Sequence, residues 1–246
     1  MKGVVLAGGS GTRMQPLTRI TNKHLLPIYD RPMVTYAIEA LVDCGITEIM
    51  VVTGGTHAGE FLRLLGNGEE WGVDRLLYAY QDRPAGIAHA LSLASRFADG
   101  DKIAVMLADN VFGRSIQPIV DNFASQQRGA RIVLAEIADR DHLRSLGVAV
   151  LDGDRVTGVV EKPTDPPSRF AVTGVYFYDA SVFEVVAGLK PSDRGEIEIS
   201  DVNNHYIERG EMSFDILEGY WGDAGESIAS YYAVNDYVRQ NGANRR

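Results

Sequence analysis

Cysteine is nearly absent from this chain of 246 residues. The single Cys44 excludes an internal disulfide and any zinc site built from thiolates, and its place on an apolar helical face marks it as a buried filler. Long apolar runs are also missing. No stretch approaches the roughly 20 residues of a membrane span. Between Met1 and Gly9 the apolar stretch is Val4 to Ala7, too short for the core of a signal peptide. The cytoplasm is therefore the expected compartment, with no membrane partner. Positive charge is in deficit, 24 Lys and Arg against 33 Asp and Glu for a formal charge of −9, which argues against a nucleic-acid partner. Linkers, repeats and low-complexity tracts are lacking, and Pro163 to Pro167 reads as a surface loop.

What is present fits one large domain. A content of 45% hydrophobic and 23% charged residues is enough to bury a sizeable core. Short β-branched runs alternate with segments of helical period, the pattern of an α/β fold with a largely parallel sheet. Strands are predicted at Val4 to Ala7, Ile49 to Thr53, Leu76 to Tyr80, Ile103 to Leu107 and Ile132 to Ile137. Helices are predicted between them, one opening at Pro32 and stopping at Gly45, others around Phe61 to Leu65, Ile87 to Ala94 and Ile116 to Phe123. From Gly147 the texture changes to shorter alternating strands at Val148 to Leu151, Val156 to Val160 and Val172 to Tyr178. Helical segments follow near Ser181 to Ala187 and Ser200 to Arg209. This divides the domain into a first part over about 1–137, a second over about 138–225 and a C-terminal helix over about 226–240.

The charge is unevenly spread. The first 31 residues hold Lys2, Arg13, Arg19, Lys23 and Arg31 against Asp30 alone. Within them Gly8-Gly9-Ser10-Gly11-Thr12-Arg13 follows the first strand directly, and its glycines let backbone N–H groups approach a phosphate or base closely. A Walker A loop would need Gly-Lys-Ser/Thr where Gly11-Thr12-Arg13 stands. The dinucleotide fingerprint would need a glycine at Met14 and an acidic residue after the second strand, where Thr53-Gly54-Gly55 stands. Both fail, and a plain structural turn remains open, as do surface roles for Arg13 and Lys23.

Read on from that turn, Leu6 to Arg13 followed by Asn22-Lys23-His24-Leu25-Leu26-Pro27-Ile28 resembles the entry to sugar-nucleotide pyrophosphorylases, and among them the glucose-1-phosphate thymidylyltransferases. The resemblance continues in order through Tyr80-Gln81, Pro84 to Ala88, Leu107-Ala108-Asp109-Asn110, Leu146-Gly147-Val148, Glu161-Lys162-Pro163, Ala171 to Tyr176, Arg194 to Ile199 and Trp221 to Gly225. The chain departs from that pattern at Ala224 and Glu226, where the family usually has threonines, and at His89, where it often has glutamine.

The resemblance implies a Rossmann-like nucleotidyltransferase fold, with a mostly parallel central sheet flanked by helices and a smaller sugar-binding part inserted in the second half. It implies transfer of a nucleotidyl group from dTTP to glucose 1-phosphate, giving dTDP-glucose and pyrophosphate. UTP or another sugar 1-phosphate is the alternative, and a catalytically silent nucleotide-sugar sensor a more distant one. A sensor could dispense with the metal ligands, which are present here. The attacking phosphate is already an anion, so catalysis reduces to positioning and charge neutralisation.

In this reading Arg13, Lys23 and Lys162 are catalytic, and Leu6, Gly8, Gly9, Gly11 and Thr12 bind the nucleotide. Gln81 and Gly86 contact the base; the Gln81 amide suits thymine or uracil one way round and cytosine the other. Gly147, Glu161, Lys162, Val172, Tyr176 and Glu196 bind the sugar phosphate, while Asp109 and Asp223 hold Mg²⁺. Plainer roles remain open: a loop cap for Asp109, a helix N-cap for Asp223, an ion pair of Lys162 with Glu161, and a half-exposed strand through Glu196 and Glu198. The five histidines show no metal spacing, and His24 alone falls near the site. Longer members of the resembled family continue into helices that build a second nucleotide-sugar site between subunits. A chain with one helical stretch after Asp223 is therefore expected to show hyperbolic kinetics, inhibition by dTDP-rhamnose purely competitive with dTTP, assembly no larger than a homodimer, and a frayed tail from Asn241 to Arg246.

Overall fold

The computed structural model describes residues 1–9 and 11–245; Ser10 of the glycine-rich turn and Arg246 of the tail lie outside the described residues. The chain opens with β1 (Lys2–Ala7), two short strands β2 (Pro27–Ile28) and β3 (Arg31–Pro32), and α1 (Met33–Val42). Next come β4 (Glu48–Gly54), α2 (Ala58–Leu65), β5 (Arg75–Gln81), α3 (Ile87–Ser92), α4 (Ser95–Ala98) and β6 (Ile103–Leu107). The middle holds β7 (Asn110–Phe112), α5 (Gln117–Ser125), β8 (Ala130–Glu136), α6 (Arg140–Leu143), β9 (Gly147–Asp152), β10 (Arg155–Glu161) and β11 (Phe170–Tyr178). The chain ends with α7 (Val182–Gly188), α8 (Ile199–Glu208), β12 (Met212–Ile216), β13 (Trp221–Asp223) and α9 (Ile228–Asn241).

At the centre β6, β1, β4 and β5 lie side by side and parallel, with Val4 between Met50 and Val105. Parallel neighbours need crossovers, which α1 and α2 supply. Both faces of β1, β4 and β6 are covered, so their sequences are largely apolar rather than alternating, while β5 at the sheet edge is only half-buried. Val4 and Leu6 point into a core with Ala88, Leu91, Val202 and Tyr206; Val5 and Ala7 point into another with Val34, Ile38, Leu41 and Phe61. The second half joins the same sheet through β11, antiparallel to β6, β8 and β9, while β10 pairs antiparallel with β9 and β12 runs parallel to β8. The α/β fold with a parallel core is as expected from the sequence. Among the described residues, no helix is long and apolar enough to cross a membrane.

Two features differ from expectation, and one reading left open from the sequence is decided against. The predicted helix over Ile87 to Ala94 stops at Ser92, and α4 follows separately. The Glu196 to Ile199 alternation forms no strand: Ile197 donates to Ala85 O and accepts from Ala88 N, and Glu198 precedes the first residue of α8. The tail, expected to fray, is held through Arg245. Asn244 is buried, its N–H donates to Phe112 O and its amide to Tyr36 O at 3.0 Å.

Candidate active site

The parallel strands β1, β4, β5 and β6 deliver their C-terminal ends to one edge, the usual place for ligands in an open α/β sheet. A cleft of about 670 Å³ lies there. Its floor is built by a contact that no periodicity in the sequence announces. Immediately after β6, β7 pairs antiparallel with β13, setting Asp223 opposite Asn110, and Ala224 N–H donates to Asp109 O at 2.9 Å. This short ladder brings Asp109 and Asp223 together from opposite halves of the chain. Asn110 locks it by accepting at Oδ1 from Trp221 Nε1 at 2.6 Å and from Gly174 N at 2.9 Å.

Lys23 and His24 reach the same floor from a 3₁₀ turn over Lys23–Leu25, capped by the Asn22 side chain, which accepts from His24 N and lies 2.9 Å from His24 Nδ1. Lys23 Nζ is 2.5 Å from Asp109 Oδ2, with side chains only 13% and 7% exposed, so the plain surface role for Lys23 is ruled out. His24 Nε2 lies 3.8 Å from the same oxygen. Burial dominates His24 and lowers its pKa, favouring the neutral ring. Burial also works against the Asp109 carboxylate, but the Lys23 ammonium and the His24 contact outweigh it and hold Asp109 well below the usual range. Asp223 also feels the Lys23 charge, but that charge does not offset what opposes its ionisation. Burial first, then the Asp109 charge, push it up to about 7. Its Oδ1 accepts from Gly225 N at 2.8 Å, and the N-cap of α9 is Ser227, not Asp223. A Cβ at Gly225 would sit 2.6 Å from Lys23 Nζ and nearer still to Asp109 Oδ2, so only glycine lets the strand end close over this pair.

The opposite wall comes from the second half. The β9–β10 pairing sets Glu161 against Gly147, and Lys162 follows with φ +46, a left-handed conformation uncommon for a side-chain-bearing residue and typical of residues held for function. Its N–H donates to Leu146 O at 3.0 Å, and its Nζ lies 3.5 Å from Glu161 Oε1, so the ion pair left open from the sequence does form. Val172 and Tyr176 enter from β11, and Glu196 from the loop before α8. Tyr176 is buried and stacks on Tyr178, with its phenol pushed far up by burial and then by the carboxylates of Glu161, Asp109 and Asp223.

Of the residues expected from the sequence, Leu6, Gly8, Gly9, Arg13, Lys23, Gln81, Gly86, Asp109, Gly147, Glu161, Lys162, Val172, Tyr176, Glu196 and Asp223 line this cleft, as does His24. Gly11 and Thr12 do not. Gly11, at φ +62, precedes the 3₁₀ turn Thr12–Met14, and its carbonyl accepts from Thr18 Oγ1. The basic N-terminal section divides in function. Arg13 and Lys23 face the cleft, whereas Lys2 donates to Phe97 O and Ala98 O and pairs with Asp101, and Arg31 pairs with Glu39 and covers the Tyr36 ring.

Sequence reasoning assigned no role to Arg194, yet its guanidinium lies 3.7 Å from Glu161 and 3.9 Å from Glu196 and is anchored on Glu198 at 2.8 Å. The only sequence signal was its place in the Arg194 to Ile199 motif. Glu226 was likewise unassigned: its carboxylate lies 2.8 Å from His142 Nε2, accepts from Ser145 Oγ and lines the cleft.

The Asp109 and Asp223 carboxylates fit a divalent cation. They are hard oxygen donors on one floor, and burial, then the neighbouring Asp109 charge, disfavour the bare Asp223 carboxylate, a penalty that a proton or a metal would relieve. No group of three or more His, Cys, Asp and Glu placed to hold a metal occurs among the described residues, so the protein would supply two ligands and leave the others to phosphate and water.

Lysines, arginines and the Asp109–Asp223 pair gather in one cleft beyond the C-terminal ends of the parallel strands, and the family model for nucleotidyl transferases matches residues 2–241. The chain belongs to that family and, within it, to the glucose-1-phosphate thymidylyltransferases. A glucose-1-phosphate thymidylyltransferase of Actinoplanes sp. is 42% identical, over 97% of this chain and 78% of the relative. A Bacillus anthracis structure assigned to the same enzymes, solved with a sucrose, superposes with a TM-score of 0.92 at 43% identity, covering 97% of this chain and 95% of that one. A UDP-glucose pyrophosphorylase complexed with UDP-glucose has a TM-score of 0.81 at 25% identity, covering 97% of this chain and 98% of the other.

Proposed function

We propose that the cleft transfers a nucleotidyl group from dTTP to glucose 1-phosphate, giving dTDP-glucose and pyrophosphate. The observation that carries this reading is the convergence of two separate cation groups, Arg13 and Lys23 from the first part and Lys162 and Arg194 from the second, on one cleft with Asp109 and Asp223. Two anionic reactants need such an arrangement before they can meet.

A phosphate oxygen of the sugar 1-phosphate attacks the α-phosphorus, the bond from that phosphorus to the bridging oxygen of the β-phosphate breaks, and pyrophosphate leaves. The nucleophile is already ionised, so no side chain is required as a base. Arg13, at the exposed rim, and Lys23 hold the triphosphate, and Lys162 and Arg194 hold the acceptor phosphate. Glu161 accepts from sugar hydroxyls, and Tyr176 and Val172 form the pocket wall. A magnesium ion held by Asp109 and Asp223 would act as a Lewis acid on the reacting phosphate. Substrates of this kind, a nucleoside triphosphate and a sugar phosphate, support a cytoplasmic reaction.

UTP is the second reading. It is favoured by the likeness to the UDP-glucose pyrophosphorylase and by a base pocket whose Gln81 can serve the edge common to thymine and uracil. The test is to incubate the protein with dTTP, glucose 1-phosphate and Mg²⁺ and identify the product by mass. Equimolar dTDP-glucose and pyrophosphate are expected. Absence of dTDP-glucose, or pyrophosphate released without the sugar phosphate, would refute the proposal.

A further inference from the structure

Gln81 is buried at the C-terminal end of β5, and its amide is oriented by its neighbours. Nε2 lies 3.2 Å from Gly86 O, a carbonyl that can only accept, so the amide end there must be the NH₂. The same Nε2 lies 3.0 Å from His89 Nδ1. With the NH₂ donating, Nδ1 must accept, which fixes the neutral His89 tautomer with its proton on Nε2. Both amide hydrogens are then used. Oε1 alone remains for a ligand, and it points toward the glycine-rich turn, where a Cβ at Gly8 would come within 3.1 Å of it. Gly8, Gln81 and Gly86 all line the cleft.

We infer that His89 is a positioning residue for base selection: by holding the Gln81 amide with Oε1 toward the cleft, it makes the pocket select a pyrimidine bearing an imino N3–H. Resting on the nucleotidyl-transfer reading of this cleft, the inference names the edge that is read. Thymine and uracil present N–H at N3. Cytosine presents a lone pair there, which would face the lone pairs of Oε1. Rejection of a ligand that mispairs a buried polar group is steeper than rejection by shape alone. His89 occupies a position where glutamine is common in the resembled family, so the amide is oriented in this chain by a rigid ring with a single available acceptor.

Without the ring acceptor, one amide hydrogen has no partner and only the 3.2 Å bond to Gly86 O holds the amide, so the turned form, with NH₂ toward the base, gains population. His89→Leu removes the acceptor, while His89→Gln offers one again on a flexible arm. Calorimetric titration with dTTP, dUTP and dCTP, in the absence of sugar phosphate, reads the selection directly. The wild-type protein is expected to bind dTTP and dUTP with similar Kd and to discriminate against dCTP. In His89→Leu the dTTP over dCTP preference should fall about tenfold, the equivalent of ~1.4 kcal/mol for one hydrogen bond and its orientation, and His89→Gln should recover part of it. The KM for glucose 1-phosphate should be unchanged in both. A preference in His89→Leu equal to that of wild type overturns the inference, as does a wild type that binds dCTP as well as dTTP. Tight, selective dTTP binding without dTDP-glucose formation would instead refute the proposed function and leave base selection standing, so the two failures are distinguishable.

Discussion

Replacing Asp223 by asparagine should inactivate the protein and at the same time stabilise it. Asp223 and Asp109 share the cleft floor with one buried cation, Lys23. Burial disfavours the Asp223 carboxylate, and the Asp109 charge adds to that more than Lys23 offsets. The Asp223 carboxyl is consequently raised from 3.8 to about 7. Because the folded state holds this proton more tightly than the unfolded state, its contribution to stability is present below pH 3.8 and is lost as pH rises through about 7. A shift of roughly three units at 1.36 kcal/mol each sets the loss at about 4 kcal/mol above pH 8 as an upper bound. Asparagine keeps the oxygen that accepts from Gly225 N and removes the charge. Thermal melts of metal-free wild type and Asp223→Asn at pH 5 and pH 8.5 measure the effect. The variant should gain on wild type as pH rises, by about 2–4 °C for each kcal/mol in a chain of this size. Mg²⁺ should raise the melting temperature of wild type at pH 8.5 and leave that of the variant nearly unchanged. Identical pH dependence of the two proteins, or equal Mg²⁺ stabilisation, would refute the coupled-carboxylate account.

Lys162→Ala should raise the KM for glucose 1-phosphate with dTTP binding near wild type by calorimetry, and Lys23→Ala should damage dTTP binding; equal loss of dTTP affinity in both would contradict the division of the cations. Gly225→Ala should cost at least a hundredfold in kcat while the protein stays folded by circular dichroism, because a methyl group there displaces Lys23 and Asp109, and near-normal turnover would show that the floor can yield. The hydrogen bond from His142 to Glu226, opposed by partial burial, raises the His142 pKa; burial opposes ionisation of Glu226, but His142 and Ser145 lower it overall. Their mutual stabilisation is therefore complete between the unfolded values of 4.5 and 6.5, and is lost as pH falls through the depressed Glu226 value or rises through the elevated His142 value. Glu226→Gln should thus lower stability by less than ~1 kcal/mol near pH 5.5, the pair being partly solvated, and by less at pH 9; a cost that grows with pH would contradict the ion pair.

The parallel core was legible because its signals are local. Val4 to Ala7, Ile49 to Thr53 and Ile103 to Leu107 are buried on both faces, and a run of β-branched residues between turn signals is enough to place each strand. The three-residue partners β7 and β13 were not legible. Their pairing depends on Asn110 satisfying donors from β11 and from Trp221 at once, a tertiary requirement that leaves no period in the sequence. The same holds for β12, whose alternation is short and mixed, and for the Glu196 to Ile199 stretch, where backbone bonds to Ala85 and Ala88 override an alternation that reads as a strand. Asp109, Lys23, Lys162 and Asp223 were found through ordered motifs. Arg194 has no charge pattern of its own to distinguish it, and it became visible only when the fold brought Glu161, Glu196 and Glu198 around it. The tail looked frayed because it is polar, and it is Asn244 that secures it by reaching into a buried carbonyl.

A matrix of dTTP, UTP, dCTP, ATP and GTP against glucose, galactose and mannose 1-phosphates, with Mg²⁺ and scored by pyrophosphate release, tests the central claim most directly. The account predicts the highest kcat/KM for dTTP with glucose 1-phosphate, lower activity with UTP, little with dCTP, and no release when the sugar phosphate is omitted. Pyrophosphate release from no pair in the matrix, or a purine nucleotide preferred over dTTP, would contradict it.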